Sequence, residues 1–148
     1  MAHNTVGIMA ENKSFLGSGW SFPPRFLESS EGLDMSHDER DIAESLFILL
    51  STTPGERVMY PKYGCDLQRM VYANISKSSK TLIKDMITTA ILYFEPRIEV
   101  IAIDIEDKGQ LEGKLEINIL YEIKGTNSRR NMVYPFYLTE GTDLEMAK

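Results

Sequence analysis

The chain has one cysteine and two histidines in 148 residues. The lone thiol, Cys65, cannot form an internal disulfide, and His3 and His37 offer no metal-ligand spacing. No apolar run approaches the roughly 18 residues that a membrane-spanning helix needs. The first fifteen residues lack a basic region followed by an apolar core, so no secretory signal is expected. Basic residues are outnumbered, 16 Lys and Arg against 22 Asp and Glu, for a net charge of −6. Arg129-Arg130 is too short a basic cluster to hold a phosphate backbone, which argues against a nucleic-acid partner. No motif implies a cofactor. What remains is a cytoplasmic chain of ordinary globular composition, long enough to bury about two-thirds of its unfolded surface in one core.

The residues present divide into a tail over 1–16, one domain over 17–140 and a second tail over 141–148. The first tail shows no periodicity. From Gly17 to Phe26 the chain carries three large apolar side chains, Trp20, Phe22 and Phe26, around the extended pair Pro23-Pro24. A short strand covering a core edge is the favoured reading, and a groove ligand of the proline-recognition type is the alternative. Ser29 to Asp34 is turn-like, with Gly32 suited to a hairpin. Ser36 and Glu39 have capping-box spacing and predict a helix of about 14 residues. Its Ile42, Leu46, Leu49 and Leu50 share one face. Thr52 to Gly55 stops it. The loop from Gly55 to Gly64 sets Glu56 and Arg57 side by side, and Leu67, Met70 and Val71 suggest a short helix over 66–73.

The longest helical pattern runs from about Ser79 to Phe94, with Ile83, Met86, Ile87, Ala90, Ile91 and Phe94 in one stripe. Lys80, Lys84 and Asp85 lie opposite. Ser76, Ser78 or Ser79 is placed to cap it. Pro96 removes a donor and disfavours helical geometry at Glu95, so the helix ends there. Glu95 then meets the negative end of the helix dipole, a mismatch of about 0.3–1 kcal/mol for an exposed group. Arg97 offers a partial offset and a partner's cation another; two solvated charges is the plainer alternative.

Three strand-like runs complete the pattern. Ile98 to Glu106 is apolar on both parities, which predicts cover on both faces over part of its length. Asp107 to Gln110 is a hairpin-type connection. Lys114 to Lys124 alternates, with Leu115, Ile117, Ile119, Tyr121 and Ile123 on one side, so one face is wet. Arg130 to Leu138 is the last strand, and Pro135 marks it as an edge. The expected fold is α+β: a C-terminal three-strand meander joined by an N-terminal strand, antiparallel or mixed, packed on two main helices.

Four motifs stand in order: Gly19-Trp20-Ser21-Phe22-Pro23-Pro24, then Leu49 through Gly64, then Glu95-Pro96-Arg97-Ile98, then Val133-Tyr134-Pro135-Phe136. Over roughly residues 17–140 they resemble the GPW/gene-25-like family of contractile-tail baseplates, which includes phage wedge proteins and the sheath initiators of type VI secretion. The Leu-Leu-Ser-Thr to Gly-Glu-Arg stretch and the Glu-Pro-Arg triplet are specific in combination. The resemblance implies a fold like the assembly domain of the sheath subunit, and a structural role. Glu95, Pro96 and Arg97 would, by that resemblance, face the other wedge proteins and anchor the chain to a helical core bundle of the baseplate, with Glu56 and Arg57 beside them. A sheet edge at Lys114–Lys124, at Arg130–Leu138 with Val133, Tyr134, Pro135 and Phe136, or at the segment of Trp20 and Phe22, would accept sheath strands. Tube or hub proteins are further implied partners, with six copies per ring, no nucleic acid, no membrane insertion and assembly in the cytoplasm. The residues agree on two counts: a carboxylate set against its dipole gains from a partner's cation, and a bare strand margin invites strand addition.

Two rival functions compete with the structural role. A lysozyme-like hydrolase needs two carboxyls flanking a cleft, one of them held protonated. Glu56 and Glu95 are the carboxylates inside the distinctive motifs, and each has an Arg within two residues favouring its ionised form. No hydrolase nucleophile motif appears, and Cys65 reads as a small buried hydrophobe. An adaptor outside contractile tails would share the fold but not the partners.

Overall fold

The computed structural model describes residues 15–27, 32–72, 76–109 and 113–138. Residues 1–14 of the first expected tail, all of the second, and Gln110 of the predicted connection lie outside them. The chain divides into two compact units, Met1–Asp41 and Ile42–Lys148.

In the first unit, β1 (Ser18–Trp20) pairs antiparallel with β4 (Met35–His37), and β2 (Phe26–Leu27) with β3 (Gly32–Leu33). Main-chain bonds from Ser21 N–H to the Asp34 carbonyl (3.1 Å) and from Asp34 N–H to the Arg25 carbonyl (2.9 Å) join the two ladders into one irregular hairpin. The N-terminal strand therefore sits in its own two-stranded sheet and does not extend the C-terminal meander. A partner close in sequence closes a short loop at low entropic cost, and that favours β4. The same pairing removes the predicted capping box. Ser36 lies opposite Gly19 in the ladder, buried, with no hydrogen-bond partner for its Oγ among the described residues.

Helix α1 (Asp38–Ser51) has the expected length and starts with Asp38, Glu39 and Asp41 in its first turn, where the dipole favours them. In the second unit it buries Ile42, Leu46, Leu49 and Leu50, the predicted face. The short helix after the loop is a 3₁₀ turn, Leu67–Met70, and Leu67, Met70 and Val71 are buried as expected. Helix α2 (Lys77–Phe94) is capped by Ser76, whose Oγ accepts the Ser79 N–H at 3.1 Å. It buries Ile83, Ile87, Ala90 and Ile91.

Strands β5 (Ile98–Gly109), β6 (Lys114–Ile123) and β7 (Ser128–Tyr137) form an antiparallel meander in that order. Buried and half-buried residues alternate along all of β6, as its sequence predicts. Because β6 is paired on both sides, the expectation of a free edge at Lys114–Lys124 is corrected; the margins are β5 and β7. Pro135 lies on margin strand β7, where a missing donor is tolerated.

The reading of β5 as covered on both faces is also corrected. A bulge between Val100 and Ala102 leaves Ile101 without an opposite residue and switches the parity of the strand beyond it. Ile98 and Val100 before the bulge, and Ile103 and Ile105 after it, stand opposite the buried Ile123, Tyr121, Ile119 and Ile117, while Ile101 is exposed. The helices cover this inward face. Phe47 of α1 meets the Tyr134 ring edge-on at 5.6 Å, and Ser51 Oγ lies 3.3 Å from the Tyr134 hydroxyl. From α2, Lys80 Nζ donates to the Ile105 carbonyl at 3.4 Å and Lys84 Nζ lies 3.8 Å from Asp104, so both lysines face β5.

Candidate functional site

Residues 52–65 make a loop closed on itself. Cys65 N–H donates to the Thr52 carbonyl (2.9 Å), Gly55 N–H to that of Pro61 (2.8 Å), and Glu56 N–H to that of Thr53 (3.1 Å). Glu56 Oε2 accepts the Thr53 N–H at 3.1 Å. At the neck, Gly64 has φ +129°, and a Cβ there would run into the Thr52 carbonyl, so the crossing requires glycine. The tip of this braced loop is apolar: Val58 is 92% exposed and Met59 94%.

The loop leans on the end of α2. The Tyr60 and Tyr63 rings meet Phe94 edge-on at 5.8 and 5.2 Å, and the Arg57 guanidinium carbon stands 4.2 Å above the Tyr63 ring. Burial pushes the Tyr63 hydroxyl pKa up; Arg57 opposes this and Glu95 adds to it. Phe94 precedes Glu95, so the structure brings together two motifs far apart in sequence, Glu56-Arg57 and Glu95-Pro96-Arg97.

At Glu95 the expected offset by Arg97 is present, whereas the solvated reading and the appeal to an outside cation are corrected. The residue is 3% exposed. Arg97 Nε donates to its Oε1 at 2.6 Å and Arg97 Nη2 to its Oε2 at 2.8 Å; Ser45 Oγ of α1 donates to Oε2 at 2.8 Å. Its N–H closes the helix on the Ile91 carbonyl. The dipole mismatch is thus offset from within, by a bidentate guanidinium and a hydroxyl from a distant helix. Pro96 is exposed beside it and Arg97 partly so.

Of the residues expected to receive strands, Val133 and Pro135 are exposed, whereas Phe136 is buried and Tyr134 packs on α1. The outer side of β7 pairs with no strand among the described residues. Trp20 and Phe22 are exposed in the hairpin of the first unit. Cys65 is buried, and burial with help from Asp66 pushes its thiol up to about 12, which fits a packing role. Sequence reasoning missed the Val58-Met59 tip and the exposed Leu92 and Tyr93 at the end of α2. An apolar pair between Pro54-Gly55 and Pro61 was the available signal for the tip.

The described residues of the second unit thus form two helices with a three-stranded antiparallel meander, and a closed loop braced against a Glu-Pro-Arg corner. The profile of the family described as baseplate wedge protein gp25 matches residues 36–128, and the chain belongs to that family. It is 26% identical over 83 residues to baseplate wedge protein gp25 of Enterobacteria phage T4, a match spanning 56% of this chain and 63% of that one. Among solved structures it is similar to a Geobacter sulfurreducens protein described as a tail lysozyme, at 42% identity and TM-score 0.67 over 72% of this chain and 96% of that one. It is also similar to a chain of the anti-feeding prophage baseplate, at 25% identity and TM-score 0.62 over 86% of this chain and 90% of the other. A chain of the postcontracted pyocin R2 baseplate, at 22% identity and TM-score 0.56 over 69% and 99%, shares the fold.

Proposed function

We propose that this chain is a structural part of the baseplate of a contractile injection machine, built into phage-tail-like particles. It docks on wedge proteins through the surface where the 52–65 loop meets the Glu95–Arg97 corner. It starts sheath assembly by offering a strand margin to arms of sheath subunits. The observation that carries the docking half is the packing of Tyr60 and Tyr63 on Phe94, which fixes loop and corner as one preformed surface. A preformed surface loses little conformational entropy on binding. Glu95 serves as a positioning residue, orienting Arg97 and pinning the corner to α1 through Ser45. The sheath half is supported by β7, a ten-residue margin strand whose outer side is open to strand addition among the described residues.

Support for a structural rather than hydrolytic role comes from the carboxylates. Both Glu95 oxygens are taken up by Arg97 and Ser45, and Glu56 is tied to a main-chain N–H, which leaves neither poised to protonate a leaving group. Incorporation into particles tests the docking surface. Val58→Asp with Met59→Asp alters only the exposed tip; the folded variant should be absent from purified baseplates, and normal incorporation would refute the surface. Release of peptidoglycan fragments by the purified chain, lost in Glu95→Gln, would replace the structural reading with an enzymatic one.

A further inference from the structure

The hairpin of the first unit carries a motif that the docking corner and the β7 margin leave unused, Trp20-Ser21-Phe22-Pro23-Pro24-Arg25-Phe26. Trp20 stands opposite Met35 and Phe26 opposite Leu33. Between these pairs, Ser21 donates its N–H to the Asp34 carbonyl, and the Arg25 carbonyl accepts the Asp34 N–H. Ser21 and Arg25 thus share one opposite residue, so Phe22, Pro23 and Pro24 bulge out of the ladder. Both ends of the bulge are held, by the two bonds to Asp34 and by burial of Ser21. Leu33 and Met35 are two apart on the facing strand, which puts Trp20 and Phe26 on one side. Trp20 is 67% exposed and Phe26 79%, and Phe22 and Met35 are exposed as well. Four large apolar side chains on so short a hairpin exceed the scattered singles of an ordinary surface.

The main chain of the bulge is a poor strand partner. Pro23 and Pro24 have no N–H, and the Ser21 N–H and Arg25 carbonyl are committed to Asp34. Missing donors are an advantage in a cleft, because there are fewer amides to leave unpaired on burial. Arg25 adds an exposed guanidinium that makes no ion pair among the described residues. The matching surface is a cleft of aromatic or aliphatic side chains with a carboxylate at its rim. An anionic lipid surface matches less well, since the same unit carries Asp34, Asp38, Glu39 and Asp41. We propose that the segment Trp20 to Phe26 is a docking ridge that inserts into an apolar cleft of a neighbouring protein, with Arg25 paired to an Asp or Glu at the rim. Being held at both ends, the ridge loses little conformational entropy on binding. That the neighbour is a baseplate protein rests on the function proposed above; the chemistry of the cleft rests on the ridge.

The test uses the full chain in the cells that produce it, with the photo-crosslinking residue p-benzoylphenylalanine in place of Phe26. After irradiation, mass spectrometry locates the cross-link. It should fall on one protein, in an apolar cleft with Asp or Glu at its rim. The purified chain should bind that protein in interferometry. Phe26→Ser and Arg25→Glu should each weaken binding about tenfold while circular dichroism stays native, since both side chains are exposed. Changing the rim carboxylate of the partner to Lys should restore binding of Arg25→Glu. Cross-links to no protein would overturn the proposal, and so would a partner that binds both variants as well as the native chain. Cross-links to no protein, together with Phe26-dependent binding to vesicles of phosphatidylcholine and phosphatidylglycerol, would replace the cleft with a lipid surface. A ridge that fails in a chain still present in baseplates leaves the proposed function standing. A chain absent from baseplates sinks that function, while the cross-link in cells still decides the ridge.

Discussion

Glu95 sets the terms at the residue scale. The sequence places it correctly at the end of a helix with its dipole against it. What the sequence does not disclose is the cover, because Ser45 comes from a helix fifty positions earlier and only packing brings it there. The bridge makes a prediction about unequal single mutants. Arg97→Ala leaves a buried carboxylate with one hydroxyl partner and should cost about 3 kcal/mol. Glu95→Ala removes the charge and leaves Arg97, 29% exposed, able to reach water, so it should cost less. The double mutant should lie near Glu95→Ala and far below the sum. Urea denaturation measures all three; equal single effects that add would mean the pair is not coupled.

Cys65 gives a pH dependence of definite sign. Its thiol is pushed to about 12 from an ordinary 9.0, first by burial and then by Asp66. The folded chain therefore keeps a proton that the unfolded chain releases, so this contribution to stability is whole below pH 9.0 and is lost as pH rises toward about 12. Stability of the native chain should fall with pH across that window more steeply than that of Cys65→Ala. Equal slopes would contradict the buried thiol. Near neutral pH, iodoacetamide should modify Cys65 only after unfolding.

At the scale of elements, β6 is the most legible piece. Strict alternation in a strand buried on one face leaves a single register, and each inward residue is found buried. Ile119→Ala, at a fully buried position in the middle of the sheet, should cost about 3 kcal/mol by thermal or chemical denaturation. Legibility fails where a neighbour decides. Ser36 fits a helix cap by spacing, but pairing with Gly19 holds it in a strand. Ile101 makes β5 look apolar on both sides, although a bulge had only changed the parity.

The 52–65 loop separates two kinds of glycine. Gly64 combines φ +129° with a neighbouring carbonyl where a Cβ would go, while Gly55 has φ +97° and open space around it. Gly64→Ala should thus cost about 3 kcal/mol and loosen the neck, and Gly55→Ala about 1 kcal/mol. A Gly64→Ala change as mild as Gly55→Ala would show that the neck is not a close crossing. The sequence marks the loop by its Gly and Pro residues; the closure itself depends on Thr52 meeting Cys65, a contact that spacing alone does not specify.

For the whole molecule, the proposal is that a corner whose ions are satisfied internally, and a margin strand β7 that pairs outward with no strand among the described residues, are completed by protein neighbours. The corner supplies shape and an apolar tip, and the margin supplies main-chain donors and acceptors. Hydrogen–deuterium exchange on the chain, free and then within assembled particles, tests both together. Amides of β7 (Ser128–Tyr137) and of the 52–65 loop should exchange more slowly in the particle, while those of central β6 stay protected in both states. Unchanged exchange along β7 and the loop on assembly would contradict the account.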